Sequence, residues 1–295
     1  MIHLKIEFFL IKKGKYLGST PFFAIFAAMM NFISLGSGSS GNCYCIFTEN
    51  TGLMIDVGLG VRTLKKLFNE YGLSFSKINA VLLTHDHADH VKSVGSLSHD
   101  LSVPVYSTKK VHAGVRNNYC VRQKVASGYE RYLEKNKTVA IGDLQITPFD
   151  VPHDSADNVG YMITHEGVNF CLITDAGHVT DEMKSFIQKA NYLVLEANYD
   201  EEMLRVGTYP EHLKVRISGE NGHLSNKMCG MVLAENATPA LKHVWLCHLS
   251  EENNHPELAR ITVEQVLRQH GIAPGKDFLV EILKRKTPSG LYDLE

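Results

Sequence analysis

The densest chemistry in this 295-residue chain lies in one segment, Thr84-His85-Asp86-His87-Ala88-Asp89-His90. Imidazole nitrogen and carboxylate oxygen are ligands that a borderline cation such as Zn²⁺ accepts at about 2.0 to 2.2 Å. Three imidazoles and Asp89 fall within residues 85–90, a concentration that a solvated loop does not need. Alternation along the segment lets His85 and His87 face one ion while Asp89 and His90 face another. Two cations a few ångströms apart would lower the pKa of a shared water from about 15.7 toward about 7 and stabilise the charge that builds on an attacked carbonyl or phosphoryl group. Hydrolysis is the reaction such a pattern implies.

A cluster of this kind needs a rigid terminus to project it. The apolar run at residues 80–83 reads as a strand that stops at Thr84. From Asn31 onward, short apolar strands alternate with turns and helical periodicity enters in blocks, which is the texture of a layered α/β protein. Strands are expected at residues 32–35, 43–47, 53–57, 103–107, 144–149, 160–164, 169–174, 192–196 and 243–247. The Gly- and Ser-rich residues 36–42 read as a turn. Helices are expected over residues 61–71, with Leu64, Leu67 and Phe68 on one face, and over residues 180–189 and 261–270. No internal repeat or low-complexity segment interrupts this pattern.

His85, His87, Asp89 and His90 match the H-x-H-x-D-H signature of the metallo-β-lactamase superfamily, which the chain resembles. The resemblance implies a four-layer αβ/βα sandwich with the site at one edge of two facing sheets. It also implies three later ligands, placed at His153, Asp175 and His248, each just past an apolar run. In that scheme His85, His87 and His153 hold one divalent metal ion, Asp89, His90 and His248 hold the other, and Asp175 bridges the two. The cofactors are then two divalent metal ions, Zn or Mn, which the residue types do not distinguish. Asp56 matches an acidic position that orients the site without ligating. Asp86 and Asp154 receive no role of their own.

Metal ligands leave the substrate open, so the remaining motifs decide it. Gly222-His223-Leu224-Ser225-Asn226 resembles a loop of the tRNA 3′-processing members, where the histidine acts near the leaving oxygen. His223 is therefore the candidate general acid. Leu195-Glu196-Ala197-Asn198 resembles a His-Glu-Ala-Thr element of the same nucleases, with Leu in place of the first His. Glu196 is the candidate partner of His223, and with Asp89 these two complete the expected catalytic set. Residues 36–42 and 249–254 are most similar to the single-domain bacterial exonucleases of the WalJ/YycJ type, a resemblance that runs from about Met30 to the C-terminus. It implies 5′ to 3′ exonuclease action with a nucleic acid substrate, DNA ahead of RNA, and a part in DNA repair.

The stretch from Lys109 to Lys137 carries eight basic residues against Glu130 and Glu134, with Tyr119, Tyr129 and Tyr132 interleaved. It offers phosphate contacts and stacking surfaces. The formal charge of −2 supplies no basic field over the whole molecule, so such a partner needs a local patch. The interval from Asp175 to His248 is too short for the large inserted domain of β-CASP ribonucleases. A glyoxalase-type (thio)ester hydrolase shares the metal cage but would carry a C-terminal helical domain, and fewer than about 50 residues follow His248. That reading and an RNA-processing nuclease are the alternatives. A degenerate scaffold would show lost ligands, and none of the seven positions is lost.

The six cysteines form no C-x-x-C pair and read as buried thiols of a reducing compartment. Lys12, Lys13 and Lys15 ahead of the apolar run at residues 21–30 loosely imitate a secretory signal, but the run is short and lacks an A-x-A site. Residues 1–29 are therefore expected to be an extension, or to precede a true start at Met29 or Met30. The hydrolase domain is placed at residues 30–295, in the cytoplasm and without a membrane partner.

Overall fold

The computed structural model describes residues 29–295, so the extension expected over residues 1–29 lies, Met29 apart, outside the described residues. The first half of the chain supplies β1 (Met30–Gly36), β2 (Cys43–Phe47), β3 (Gly52–Ile55), β4 (Ile78–Leu82), β5 (Val105–Ser107) and β6 (Glu130–Tyr132). The second half supplies β7 (Val139–Ile141), β8 (Leu144–Asp150), β9 (Val159–His165), β10 (Val168–Ile173), β11 (Tyr192–Glu196), β12 (His243–Cys247) and β13 (Leu279–Ile282), and β14 (Tyr292–Leu294) returns to pair with β1. Among the described residues these make two seven-stranded sheets, ordered β14-β1-β2-β3-β4-β5-β6 and β13-β12-β11-β10-β9-β8-β7. Each sheet begins antiparallel and turns parallel, from β3 to β6 in one and from β10 to β13 in the other.

Period-2 alternation with apolar residues on both faces explains why both faces are covered. In β2, Tyr44 and Ile46 face inward to meet Phe170, Leu172 and Trp245 of the opposite sheet, while Cys43, Cys45 and Phe47 face outward. The outward face of the first sheet is sealed by α1 (Val61–Glu70), α3 (Val94–Leu101) and α4 (Lys109–Asn117), which contribute Leu64, Phe68, Leu97 and Val111. The single-turn α2 (Ala88–Val91) carries part of the histidine motif. On the second sheet, α5 (Asp181–Ile187), α8 (Asn226–Asn236) and α9 (Pro256–Gln269) bury Met183, Ile187, Leu233 and Val263, with α6 (Glu201–Val206) and α7 (Glu211–Ser218) toward the site. The outcome is the four-layer αβ/βα sandwich. No helix of the described residues is long and apolar enough to cross a membrane.

Two boundaries differ from expectation for identifiable reasons. The last long helix starts at Pro256 instead of residue 261, because His255 caps the N–H of Glu257 and proline at the first turn loses no hydrogen bond. Strand β3 stops at Ile55, since Asp56 adopts a left-handed backbone with φ of 60°. Asp175 and His248 do the same just past β10 and β12, with φ of 53° and 52°. Non-glycine residues in this region cost about 1–3 kcal/mol each and persist where the surroundings over-determine them. All three lie at carboxyl ends of strands in the parallel halves, where α/β sheets place their ligands.

Close approach of backbone also shapes this edge. A Cβ on Gly58 would lie 1.6 Å from the Asp89 carbonyl oxygen, and neither peptide can retreat because Asn42 hydrogen-bonds both, donating to Asp89 O at 2.8 Å and accepting from Gly58 N at 2.9 Å. Gly58→Ala is expected to lower stability by about 1–3 kcal/mol or more through this overlap. Thermal unfolding of the variant checks it, and an unchanged melting temperature would contradict the packing described.

Candidate metal centre

Asp56 is fully buried and anchors the histidine motif. Its Oδ1 accepts the N–H of Thr84 at 2.9 Å, and its Oδ2 accepts the Thr84 hydroxyl at 2.8 Å and His90 Nδ1 at 2.7 Å. Because the Thr84 hydroxyl donates to Asp56, its oxygen is free to accept from His85 Nδ1 at 3.0 Å. Both histidines therefore commit Nδ1–H to a partner, the arrangement that orients metal-binding imidazoles; Nε2 of His90 faces the Asn42 amide at 2.8 Å and Asp175 Oδ2 at 3.2 Å. His85 Nε2 is buried and has no hydrogen-bond partner. Such an orphan costs free energy unless something occupies it.

His87 and His153 complete a group around that nitrogen. His153 Nδ1 donates to the carbonyl of Gly222 at 2.9 Å, so its Nε2 is the free atom, and it lies 3.3 Å from His87 Nδ1. Potential ligand atoms of His85, His87 and His153 all lie within 4.8 Å of one another. Burial, reinforced by neighbouring imidazoles, holds the His85 ring well below its ordinary pKa, and burial likewise lowers His153. Neutral imidazoles with inward lone pairs are what a cation requires.

A second group joins Asp89, His90 and His248, again with ligand atoms within 4.8 Å. Asp89 Oδ2 is 3.3 Å from His248 Nε2 and 3.5 Å from His90 Nε2. Asp175 stands between the groups, 3.2 Å from His90 Nε2 through Oδ2 and 3.9 Å from His153 Nε2 through Oδ1. Burial alone would raise the Asp89 and Asp175 carboxyls, but the surrounding histidines outweigh it and hold both well below the carboxylate range. For His248, burial works downward yet Asp175, Asp89 and Glu196 push the ring up to about 10. This half of the site favours protons on His248, which an entering cation would displace.

Glu196, fully buried at the end of β11, is fourfold engaged. Oε2 accepts the N–H groups of Ala176 at 2.8 Å and Leu224 at 3.1 Å, while Oε1 lies 2.8 Å from His223 Nδ1 and 3.0 Å from His248 Nδ1. His223 sits where the chain enters α8, whose N-cap Ser225 accepts the N–H of Met228 at 3.1 Å. Burial depresses its ring, but the Glu196 carboxylate dominates and raises it above the ordinary value. A carboxylate with four donors has no lone pair to spare, so Glu196 serves better as the partner of His223 than as a ligand, although Asp175, Glu196, His223 and His248 also lie within 4.8 Å.

The seven candidate ligands, His223, Glu196 and Asp56 thus converge on one edge of the sandwich. Of the two carboxylates without a role, Asp154 pairs with Arg216 of α7 at 2.5 Å, and Asp86 accepts the N–H of Ala156 at 3.0 Å. Asn42 escaped sequence reasoning. Its amide oxygen accepts the Gly38 N–H at 2.7 Å, so its NH₂ faces His90 Nε2 at 2.8 Å and Asp89 Oδ2 at 3.2 Å. Asn198 likewise donates to the His248 carbonyl at 2.8 Å. Three of the eight basic residues of the Lys109–Lys137 stretch are ion-paired: Arg116 with Glu130 at 2.8 Å, Lys135 with Asp157 at 2.6 Å and with Asp150, and Lys137 with Glu134 at 2.5 Å.

Residues 51–248 match the family described as the beta-lactamase superfamily domain. The chain belongs to that superfamily. Its curated relatives include exodeoxyribonuclease YycJ of Bacillus anthracis, 34% identical over 260 residues that cover 88% of this chain and 97% of that protein. Exodeoxyribonuclease WalJ of Streptococcus pneumoniae is 35% identical over 260 residues, covering 88% and 96%. Zn²⁺-bound PqqB from Methylobacterium extorquens superposes with a TM-score of 0.66 at 18% identity, over 88% of this chain and 99% of that one, and shares the fold.

Members of the beta-lactamase superfamily with this fold use divalent metal ions, and the residues present fit them. The orphaned His85 Nε2, the facing nitrogens of His87 and His153, and the carboxylate set of Asp89 and Asp175 form a donor set of the right chemistry. Asp56 is the part whose removal should be felt without touching a donor atom. Asp56→Asn is expected to weaken metal affinity about 10- to 100-fold. Competition with a chromogenic chelator measures this, and an unaltered affinity would show that Asp56 does not orient the site.

Proposed function

We propose that this chain is a two-metal exodeoxyribonuclease that hydrolyses phosphodiesters of DNA in the cytoplasm. The observation that carries the reading is similarity over 96–97% of the length of proteins named exodeoxyribonuclease. The seven-residue donor set supports a two-ion cofactor, Zn²⁺ or Mn²⁺, with His85, His87 and His153 on one ion, Asp89, His90 and His248 on the other, and Asp175 between. Action from 5′ to 3′ and a part in DNA repair are what the family resemblance implies.

Bound divalent ions would supply acidified water at neutral pH and neutralise the charge of the phosphate. The chain's own residues do the rest. Thr84, Asp56 and the Gly222 carbonyl hold the imidazoles in one tautomer, so the donor set is rigid before substrate arrives. Glu196 Oε1 receives Nδ1–H of His223 and favours the charged ring. With a side chain 15% exposed, beside His153 at 5.0 Å between ring centroids, His223 can hand a proton to the departing oxygen. Asp89 serves both as ligand and as the carboxylate that balances His248.

The test is incubation of metal-loaded protein with end-labelled single-stranded DNA, duplex DNA, RNA and a thioester. Nucleotide release from DNA is expected, lost in His87→Ala. His223→Ala is expected to lower kcat by about 10²- to 10⁴-fold while metal content stays unchanged. Robust thioester cleavage with inert nucleic acids would overturn the reading, and loss of metal in His223→Ala would reassign His223 as a ligand.

A further inference from the structure

Beside Asp89 the surface opens into a groove of about 810 Å³, large among ligand pockets of about 300–1,000 Å³. Arg62, Lys92 and Arg122 line it with exposed side chains. Among the described residues neither arginine enters an ion pair, and Lys92 has only a long contact of 3.4 Å to the Ser40 carbonyl. Two acidic residues are on the wall. Asp89 belongs to the metal centre, and Asp100 is held by Lys65 at 3.1 Å. The groove therefore gathers three cations outside any ion pair, against one acidic wall residue beyond the metal centre that is already paired.

Tyr119 also lines this groove and is 91% exposed. Its loop is nonetheless tightly braced. The Asn118 side chain donates to the Asp86 carbonyl inside the histidine motif at 2.7 Å and accepts the Cys120 N–H at 2.9 Å, and Lys124 donates to the Asn118 carbonyl at 2.6 Å. Gly114 of α4 allows the approach, since a Cβ there would lie 2.1 Å from the Asp86 carboxylate. The backbone on either side of Tyr119 is thus tied to the metal-binding loop, while its ring stands in solvent with no packing role to explain it. Helices α1 and α3 start at the same groove, which Gly60 and Val61 of one start and Ser93 and Ser96 of the other line, and neither has a side-chain cap or an acidic residue in its first turn. Their free N–H groups add to the field that the cations create.

We infer that this groove receives the single-stranded end of the DNA substrate, with Arg62, Lys92 and Arg122 holding successive phosphates and Tyr119 stacking on an unpaired base before the strand reaches Asp89. The inference rests on the nuclease reading and deepens it. Stacking selects single strands, because in a duplex the base faces are already occupied. Phosphate contacts without base-edge readout make the site indifferent to sequence.

The test measures binding of a fluorescently labelled single-stranded oligodeoxynucleotide by anisotropy, and its degradation, with the metal-loaded wild type and with Tyr119→Ala, Tyr119→Phe, Arg62→Ala/Arg122→Ala and, away from the groove, Lys137→Ala. Thermal unfolding confirms that each variant is folded. Tyr119→Ala is expected to weaken binding roughly 5- to 100-fold, with Tyr119→Phe restoring it. The double arginine variant is expected to raise KM and to reduce the slope of log K against log salt by about 1.4, the share of two phosphates on a single strand. Lys137→Ala should bind as wild type. Wild-type affinity, KM and salt slope in the groove variants, alongside active wild-type nuclease, would overturn the groove and leave the nuclease reading intact. Weakened binding in the groove variants with no DNA cleavage by the wild type would support the groove and remove the nuclease.

Discussion

Buried carboxylates facing buried imidazoles are the constraint around which the molecule is built. Asp56, Asp175 and Glu196 are sealed from solvent together with His85, His90 and His248. Charges removed from water are costly unless each is paired and hydrogen-bonded. The sandwich meets this cost in layers. Asp56 is satisfied by Thr84 and His90, Glu196 by two backbone N–H groups and two imidazoles, and Asp175 by Thr174 and the histidines around it. What remains after that accounting is a set of inward lone pairs on His85, His87 and His153 and the carboxylate edge of Asp89 and Asp175, a donor set shaped for cations.

The architecture follows from delivering these groups to one place. Strands in the parallel part of each sheet end at the same edge, so Asp56, the histidine motif, Asp175, Glu196 and His248 arrive there from β3, β4, β10, β11 and β12. Left-handed turns at Asp56, Asp175 and His248 then redirect the chain within two residues of the strand. The strain is tolerated because both sheets are gripped on two faces, by each other and by helices.

Much of this was legible in the sequence because the information is local. β2, β11 and β12 were placed to the residue, each a run of apolar or β-favouring side chains, and the site residues follow such runs directly. None of the four edge strands, β6, β7, β13 and β14, is expected from the sequence, because each is only three or four residues long and partly exposed, without a clear apolar run. Partners supplied by backbone or amide groups, such as the Gly222 carbonyl, Asn42 and Asn198, carry no signature of spacing. Within the basic stretch the sequence does not separate Lys135, held by Asp150 and Asp157 from outside the segment, from Arg122, which enters no ion pair among the described residues. Arg122 and Tyr119 of that stretch meet Arg62 and Lys92 only through the fold.

Every role assigned above to the histidines and carboxylates depends on two divalent ions at one edge of the sandwich. Metal analysis of the purified chain by inductively coupled plasma mass spectrometry, combined with anomalous diffraction at the metal edge, tests it directly. Two ions are expected per chain, one within reach of His85, His87 and His153 and one within reach of Asp89, His90 and His248, with Asp175 touching both. A single ion, or ions held by the Glu196 and His223 pair instead, would contradict the arrangement derived above.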